Sequence, residues 1–247
     1  MFVQNIDRVN CYDRPMTAST EPVSRRDRPA KVPLSRQLIL DAARQLIRER
    51  GVEAVALRHV AAAVQTGPAS LYAYFGNRDV LLEHVLDSAY AEVQLVDARD
   101  GAWRPALAAT IVNTIETLES YPGLGAVALG AIPTRPGALR LAEHELTLME
   151  LGGIDQDAAA LGVDLIAQFA AATAIERTSH PDRGRGDGAR ERVKAVYGDA
   201  DPVLYPHVAK LAEALTGPDA RARRDFAIDA ILNGLASTPS PSATARH

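Results

Sequence analysis

The chain has 247 residues, 47% of them hydrophobic and 23% charged, which is enough to build a substantial core and excludes a chain disordered throughout. Its one cysteine, Cys11, excludes an intrachain disulfide framework and fits a reducing cytoplasm; no uninterrupted apolar run of about 18 residues suggests a membrane span, and no secretory segment is seen. The formal net charge of −4 argues against a nucleic-acid binder, but residues 23–84 carry 10 basic and 6 acidic groups while residues 85–247 carry 15 and 22. Only the docked face of a nucleic-acid binder must be positive, so a basic module on an acidic body meets the requirement.

Residues 1–34 lack apolar periodicity and are rich in Pro, Ser, Thr and Arg, so a disordered leader is expected there. Within it, SRRDRPAK (24–31) is a candidate phosphate or minor-groove arm, and Met16 is an alternative start. The first helix is expected from Ser35, a candidate N-cap, with Leu34 packing on Ile39 as a hydrophobic staple. Ile39, Ala42, Ala43, Leu46 and Ile47 form its apolar stripe, and Gly51 ends it; Arg44, Arg48 and Arg50 read as a solvated face.

The stretch LRHVAAAVQTGPASLYAYFGNRDVLL (57–82) reads as three short helices separated by turns. One runs over Leu57–Val64, the chain turns at Gln65–Thr66–Gly67, and a second runs from Pro68 to about Tyr74. Gly76–Asn77 then breaks the pattern, with Asn77 placed to cap a third helix from Arg78. Val60, Ala61, Val64, Leu71 and Phe75 recur at three- and four-residue steps and are expected to face one core. Ala69, Ser70, Tyr72, Ala73 and Tyr74 are left outward. Two short helices joined by a tight turn, the second carrying small and hydroxyl-bearing residues, make the unit that lays its second helix in a DNA major groove.

ILDAARQLIRERG (39–51), LRHVA (57–61), TGPASLYAYF (66–75) and NRDVLL (77–82) together resemble the DNA-binding domain of TetR family bacterial regulators. In that pattern Ala56 stands where a capping Ser or Thr is common, and Gln65 where glycine is usual. Gln65 is therefore expected to take a left-handed turn conformation that suits glycine better.

From Arg78 a long helix is expected to reach about Val96 and to join the basic module to the rest. The remainder reads as all helix, with segments at 103–120, 123–131, 137–151, 156–178, 189–196, 206–215 and 219–236; PDRGRGDG (181–188) is a charged loop. The expected fold is all-α: a leader at 1–34, a helix-turn-helix domain at 35–84, an effector-binding and dimerisation bundle at 85–238, and a tail at 239–247.

Signals for catalysis are missing. GRGDG (184–188) follows no strand, no metalloprotease, nucleophile-elbow or P-loop motif occurs, and His59, His84, His144, His180, His207 and His247 show no metal-ligand spacing. No enzyme activity, metal or cofactor is expected. The resemblance implies instead a homodimer on a palindromic operator, released by a small-molecule effector. Expected DNA contacts are Arg58, Thr66, Pro68, Ala69, Ser70, Tyr72, Tyr74 and Arg78. Trp103, Tyr121, His144, Met149, Gln168 and Phe169 are candidates to line an effector cavity. Leu161, Leu165, Phe169, Ala172, Phe226, Ile231 and Leu235 are candidates for the dimer face. The alternatives are a DNA-binding regulator controlled by a protein partner or by abundance, and a helical enzyme or binding protein.

Overall fold

The structure, a computed structural model, describes residues 33–179 and 187–238. The basic arm at 24–31, nearly all of the expected leader, the tail at 239–247, His180 and most of PDRGRGDG lie outside the described residues. Asp187 and Gly188, read from the sequence as loop, open a helix.

Helix α1 spans Arg36–Arg50, with the Ser35 hydroxyl accepting from the Leu38 amide at 3.1 Å and Gly51 closing it at φ 78°. Ile39, Ala43 and Ile47 are buried as their spacing requires, and Leu40 joins them. A single 3-10 turn at Val52–Ala54, which no sequence signal announced, leads into α2 (Leu57–Ala63). Ala56 makes no side-chain cap, and Gln65 sits at φ 54°, in the left-handed region where a side chain crowds the backbone. Helix α3 is only Pro68–Tyr72, and α4 runs Arg78–Glu92 behind an Asn77 cap whose Oδ1 accepts from the Val80 amide at 2.9 Å.

Helix α4 ends four residues short of the expected Val96. From Val93 the chain is extended and is pinned along α5 (Trp103–Glu119): the Val96 amide donates to Thr110 Oγ1 at 3.2 Å, and Asn113 Nδ2 donates to the Gln94 carbonyl at 2.7 Å. Val93 and Val96 continue the apolar helix pattern, but α5 takes up the backbone groups of Gln94 and Val96 instead. The other helices are α6 (Leu124–Gly130), α7 (Pro136–Leu151), α8 (Gln156–Ser179), α9 (Asp187–Gly198), α10 (Pro206–Thr216) and α11 (Ala220–Ser237).

Helix α8 is the centre of the bundle and packs on α5, α6, α7 and α11. By length and composition its Gln156–Thr178 portion is apolar enough to cross a membrane, although Asp164 and Gln168 interrupt its apolar run. In this fold its inner face is occupied by other helices. At Gly125 a Cβ would come within 2.8 Å of the Ala171 carbonyl, so α6 lies against α8 at a distance only glycine allows.

The N-terminus of α7 is capped from far along the chain. Asp87 Oδ1 on α4 accepts from the Gly137 and Ala138 amides at 2.7 and 3.2 Å, and a Cβ at Gly137 would strike the Asp87 carbonyl. Arg135, just before α7, donates to Glu83 on α4 at 3.3 Å.

The described residues from Leu34 onward form one compact unit containing two apolar clusters. The first gathers α1 to α4 and continues without interruption to Leu118, Tyr121, Leu124, Ala171 and Ala174. The second fills the bundle around Leu107, Ile111, Leu148, Met149, Ile166 and Leu232. Asp87→Ala would leave two amides at the start of α7 without an acceptor; a loss of about 1–2 kcal/mol is expected in urea unfolding. Gly137→Ala should cost at least as much by displacing α4.

Candidate DNA interface and effector body

Helix α3 is anchored by two side chains. Leu71 and Phe75 are buried beneath it, and Phe75 meets the His84 ring edge-on at 5.3 Å while the Arg36 guanidinium covers its face at 4.7 Å. Burial, then the charges of Arg135 and Arg36, hold His84 below the usual histidine range and favour its neutral form. With its inner face filled, α3 turns Pro68, Ala69, Ser70 and Tyr72 to solvent, followed by Ala73; Tyr72 is 58% exposed. Arg58 on α2 is exposed beside this helix-turn-helix, and Thr66 is half-buried in the turn with its amide bonded to the Ala61 carbonyl.

Two expected DNA contacts are instead spent inside the fold. The helix stops at Tyr72, so Tyr74 rotates inward and its hydroxyl donates to the Leu34 carbonyl at 2.8 Å. Arg78 donates from Nε to the Val55 carbonyl at 2.7 Å and from Nη2 to the Val52 carbonyl at 2.9 Å. It thereby closes the unexpected 3-10 turn against the start of α4, a pairing no sequence spacing reveals.

The arginines read as a solvated face of α1 are also partly committed. Glu92, on the last turn of α4, forms ion pairs with Arg44 and with Arg48, the latter at 2.9 Å. The fully buried Tyr121 completes the set: its hydroxyl donates to Glu92 at 2.8 Å and accepts from Arg44 Nε at 3.1 Å, while Arg48 lies 4.5 Å over its ring. Alongside, the Val52 amide donates to the Pro122 carbonyl at 2.9 Å. The turn between α5 and α6 is thus latched to the end of α1. Tyr121 serves as a joint between the helix-turn-helix and the bundle rather than as a cavity wall.

The other cavity candidates divide between the second apolar cluster and polar pairings outside it. Met149 is buried in the second cluster, with Trp103 and Phe169 packed on it. Trp103 lies flat against Gly152 and carries Arg104 at 5.2 Å. His144 Nε2 pairs with the Val96 carbonyl at 3.1 Å, and Gln168 is exposed and bonded to Asp164 at 2.6 Å. A groove of about 340 Å³ between α5 and α11 is open and charged, lined by Val112, Asn113, Arg224 and Asp229 among others.

From the sequence Glu145 reads as a surface position on its helix, with a polar group in a cavity as the other reading. It lies on the inner face of α7, 3% exposed, and burial alone pushes its carboxyl up to about 8. A glutamate at one inner position of a helix looks like any surface acid until the packing is known.

On the candidate dimer face, Leu161, Leu165 and Phe226 are 59%, 45% and 76% exposed, and Ala172 is exposed as well. Ile231 and Leu235 turn inward instead and pack, with Phe169, on the second cluster.

The chain matches the pattern of bacterial regulatory proteins of the tetR family over residues 39–85, and that of the tetracyclin repressor-like C-terminal domain over residues 97–238. The chain belongs to the TetR family. It is 28% identical over 218 residues to the HTH-type transcriptional repressor DrrR1 of Streptomyces coeruleorubidus, covering 84% of this chain and 80% of that one. Among solved structures it resembles apo ActR of Streptomyces coelicolor, with a TM-score of 0.77, 27% identity, and 84% and 97% of the two chains covered. ActR in complex with actinorhodin is similar at a TM-score of 0.76 and 27% identity, covering 83% and 97%. TetR family proteins are DNA-binding transcriptional regulators and not enzymes, and this member carries their all-helical fold.

Two measurements check this geometry. Tyr121→Phe removes one donor and one acceptor from the latch, and a destabilisation of about 1–2 kcal/mol is expected by chemical denaturation. The folded chain keeps a proton on Glu145 up to about pH 8, whereas the unfolded carboxyl releases it near 4.5. The folded state therefore binds the extra proton, so this contribution is complete below about pH 4.5 and is lost as pH rises through about 8. Glu145→Gln should remove that decline, measured as the difference in melting temperature between variant and parent across this range.

Proposed function

We propose that this TetR family regulator is a homodimeric repressor that binds a palindromic operator and is released from it by a small-molecule effector. The observation that carries the reading is the outer face of α3, where Pro68, Ala69, Ser70 and Tyr72 stand clear of a helix held from beneath by Leu71 and Phe75. Small side chains let a helix sit deep in the major groove, hydroxyls reach phosphates and base edges, and an alanine methyl fits a thymine methyl. Arg58 and Thr66 flank this face, while Tyr74 and Arg78 act behind it by fixing the angle at which it is presented. The reading head comprises residues 35–84 and the effector and dimer body residues 85–238. With DNA as its partner, the protein works in the cytoplasm.

Five residues of helix read few base pairs, so specificity calls for two copies on a two-fold site. The exposed apolar residues Leu161, Leu165 and Ala172 on α8 and Phe226 on α11 supply a self-complementary surface for pairing. The effector reading is supported by the likeness to ActR, whose structure with actinorhodin shares this body. An effector acts by favouring the conformer in which the two reading helices no longer match the half-sites, which requires different affinities for the two conformers. The Tyr121–Glu92 latch is the material link for that coupling.

Selection of bound duplexes from fragmented genomic DNA of the source organism tests the reading. A recurring palindrome supports it, and recovery at background after unfolding and refolding to strip any bound effector refutes it. On the selected duplex, Tyr72→Phe should weaken binding several-fold. Arg58→Ala should weaken it across sequences and reduce the slope of log K against log salt by about 1. Arg78→Ala should instead lower thermal stability, because its bonds are internal. Leu161→Glu combined with Phe226→Glu should convert the dimer to a monomer in analytical ultracentrifugation.

A further inference from the structure

The interior bounded by α4, α5 and α7 is apolar apart from a small polar set: Thr110, Thr114, Glu145 and the largely buried Tyr90. The threonines are accounted for. Thr114 Oγ1 donates to the Thr110 carbonyl at 2.9 Å, and Thr110 Oγ1 accepts from the Val96 amide. Tyr90 and Glu145 are different. The Tyr90 phenol is pushed up to about 12, first by burial and then by the charge of Glu145 on the helix packed against its own, and among the described residues neither side chain has a hydrogen-bond partner. The basic side chains at hand are engaged elsewhere: Arg135 with Glu83, Arg140 with the Ala91 and Val93 carbonyls, and His144 with the Val96 carbonyl. Leu141 and Leu148, on the same face of α7 as Glu145, are buried and provide apolar walls.

A buried carboxyl without a partner costs free energy that a suitable donor would recover. Tyr90 also borders a shallow crevice between α4 and the connection from α6 to α7, alongside Leu86 and the acids Glu83 and Asp87. The unpartnered acid is therefore one side chain removed from a surface opening at whose mouth Glu83 and Asp87 outnumber Arg135, on a body whose residues 85–247 carry 22 acidic against 15 basic groups. That field draws cations inward.

We propose that Glu145 and the Tyr90 hydroxyl form the polar end of the effector site, and that the effector is an apolar molecule bearing a protonated amine. The assignment rests on the effector-responsive reading above. An ammonium brings three donors and the countercharge that lets Glu145 give up its proton, matching the resulting carboxylate and the phenol oxygen. A neutral hydroxyl compound would need no carboxylate, because a glutamine would hold it as well. Glu145 is the residue that separates these two ligand classes.

Calorimetric titration of the full chain with 1-naphthylmethylamine and with its neutral isostere 1-naphthylmethanol tests the assignment. The parent protein should bind the amine at least tenfold more tightly than the alcohol. Glu145→Gln should abolish that preference, Glu145→Asp should retain it at reduced affinity, and Tyr90→Phe should weaken the amine without erasing the preference. Circular dichroism on each variant separates loss of site from loss of fold, and Glu145→Asp keeps the test open should the glutamine variant fail to fold. Equal binding of the two probes, no binding of the amine, or a preference that survives Glu145→Gln overturns the assignment. A gel shift on the selected duplex runs in parallel. Intact DNA binding without amine preference overturns the ligand class alone, whereas amine binding without any DNA binding overturns the regulator reading and leaves the amine site standing.

Discussion

One carboxylate holds the two working parts of this protein in register. Glu92, at the last turn of α4, is shared by Arg44 and Arg48 of α1 and by the Tyr121 hydroxyl at the end of α5. The amide of Val52 bonded to the Pro122 carbonyl reinforces the same corner. Exposed ion pairs contribute little individually, typically below about 1 kcal/mol. The value of this group lies in geometry: three helices converge on one acid, with a buried phenol fixing its position. Because the first apolar cluster also continues from the helix-turn-helix to Leu118, Tyr121 and Leu124, the reading head has no free hinge against the bundle.

Helix α4 is correspondingly dense with commitments. Its side chains Glu83, Asp87 and Glu92 hold Arg135, the start of α7, and α1, and Tyr90 lies within reach of the Glu145 charge. Any ligand that rearranges the space between α4 and α7 therefore acts on a helix whose first residue, Arg78, is bonded to the backbone behind α2. Packed interfaces of this kind switch between discrete arrangements rather than deform gradually, which is what a two-state regulator requires. Helix α3 gives only Leu71 of its five residues to the core, and the other four are exposed.

Much of the fold was legible because local signals agreed. The caps at Ser35 and Asn77, the apolar stripe of α1, and breaks at Gly51, Gly123 and Gly152–Gly153 set helix limits within a few residues across the described chain. The glycine-like turn expected at Gln65 is present at φ 54°. Long-range pairings were not legible. Nothing in the spacing of Arg78, Arg44 or Asp87 says whether a charged side chain meets phosphate, solvent or a backbone amide fifty residues away. The same limit applies to the candidate cavity. Tyr121, Gln168 and Met149 were grouped by chemistry, but the fold assigns one to a joint, one to the surface and one to the core.

The sequence by itself determined the helical class, the order and approximate ends of its helices, and the helix-turn-helix with its small-residue outer face. Each follows from interactions within a turn or two of helix, where residue identity and period are sufficient. Only the tertiary structure decided which polar groups are available for function. It drew Tyr74 and Arg78 inward, paired the α1 arginines with Glu92, and left the buried Glu145 without a partner. Burial and pairing are properties of the assembled packing, and a glutamate on an amphipathic helix carries no local mark of which face will be closed off from water.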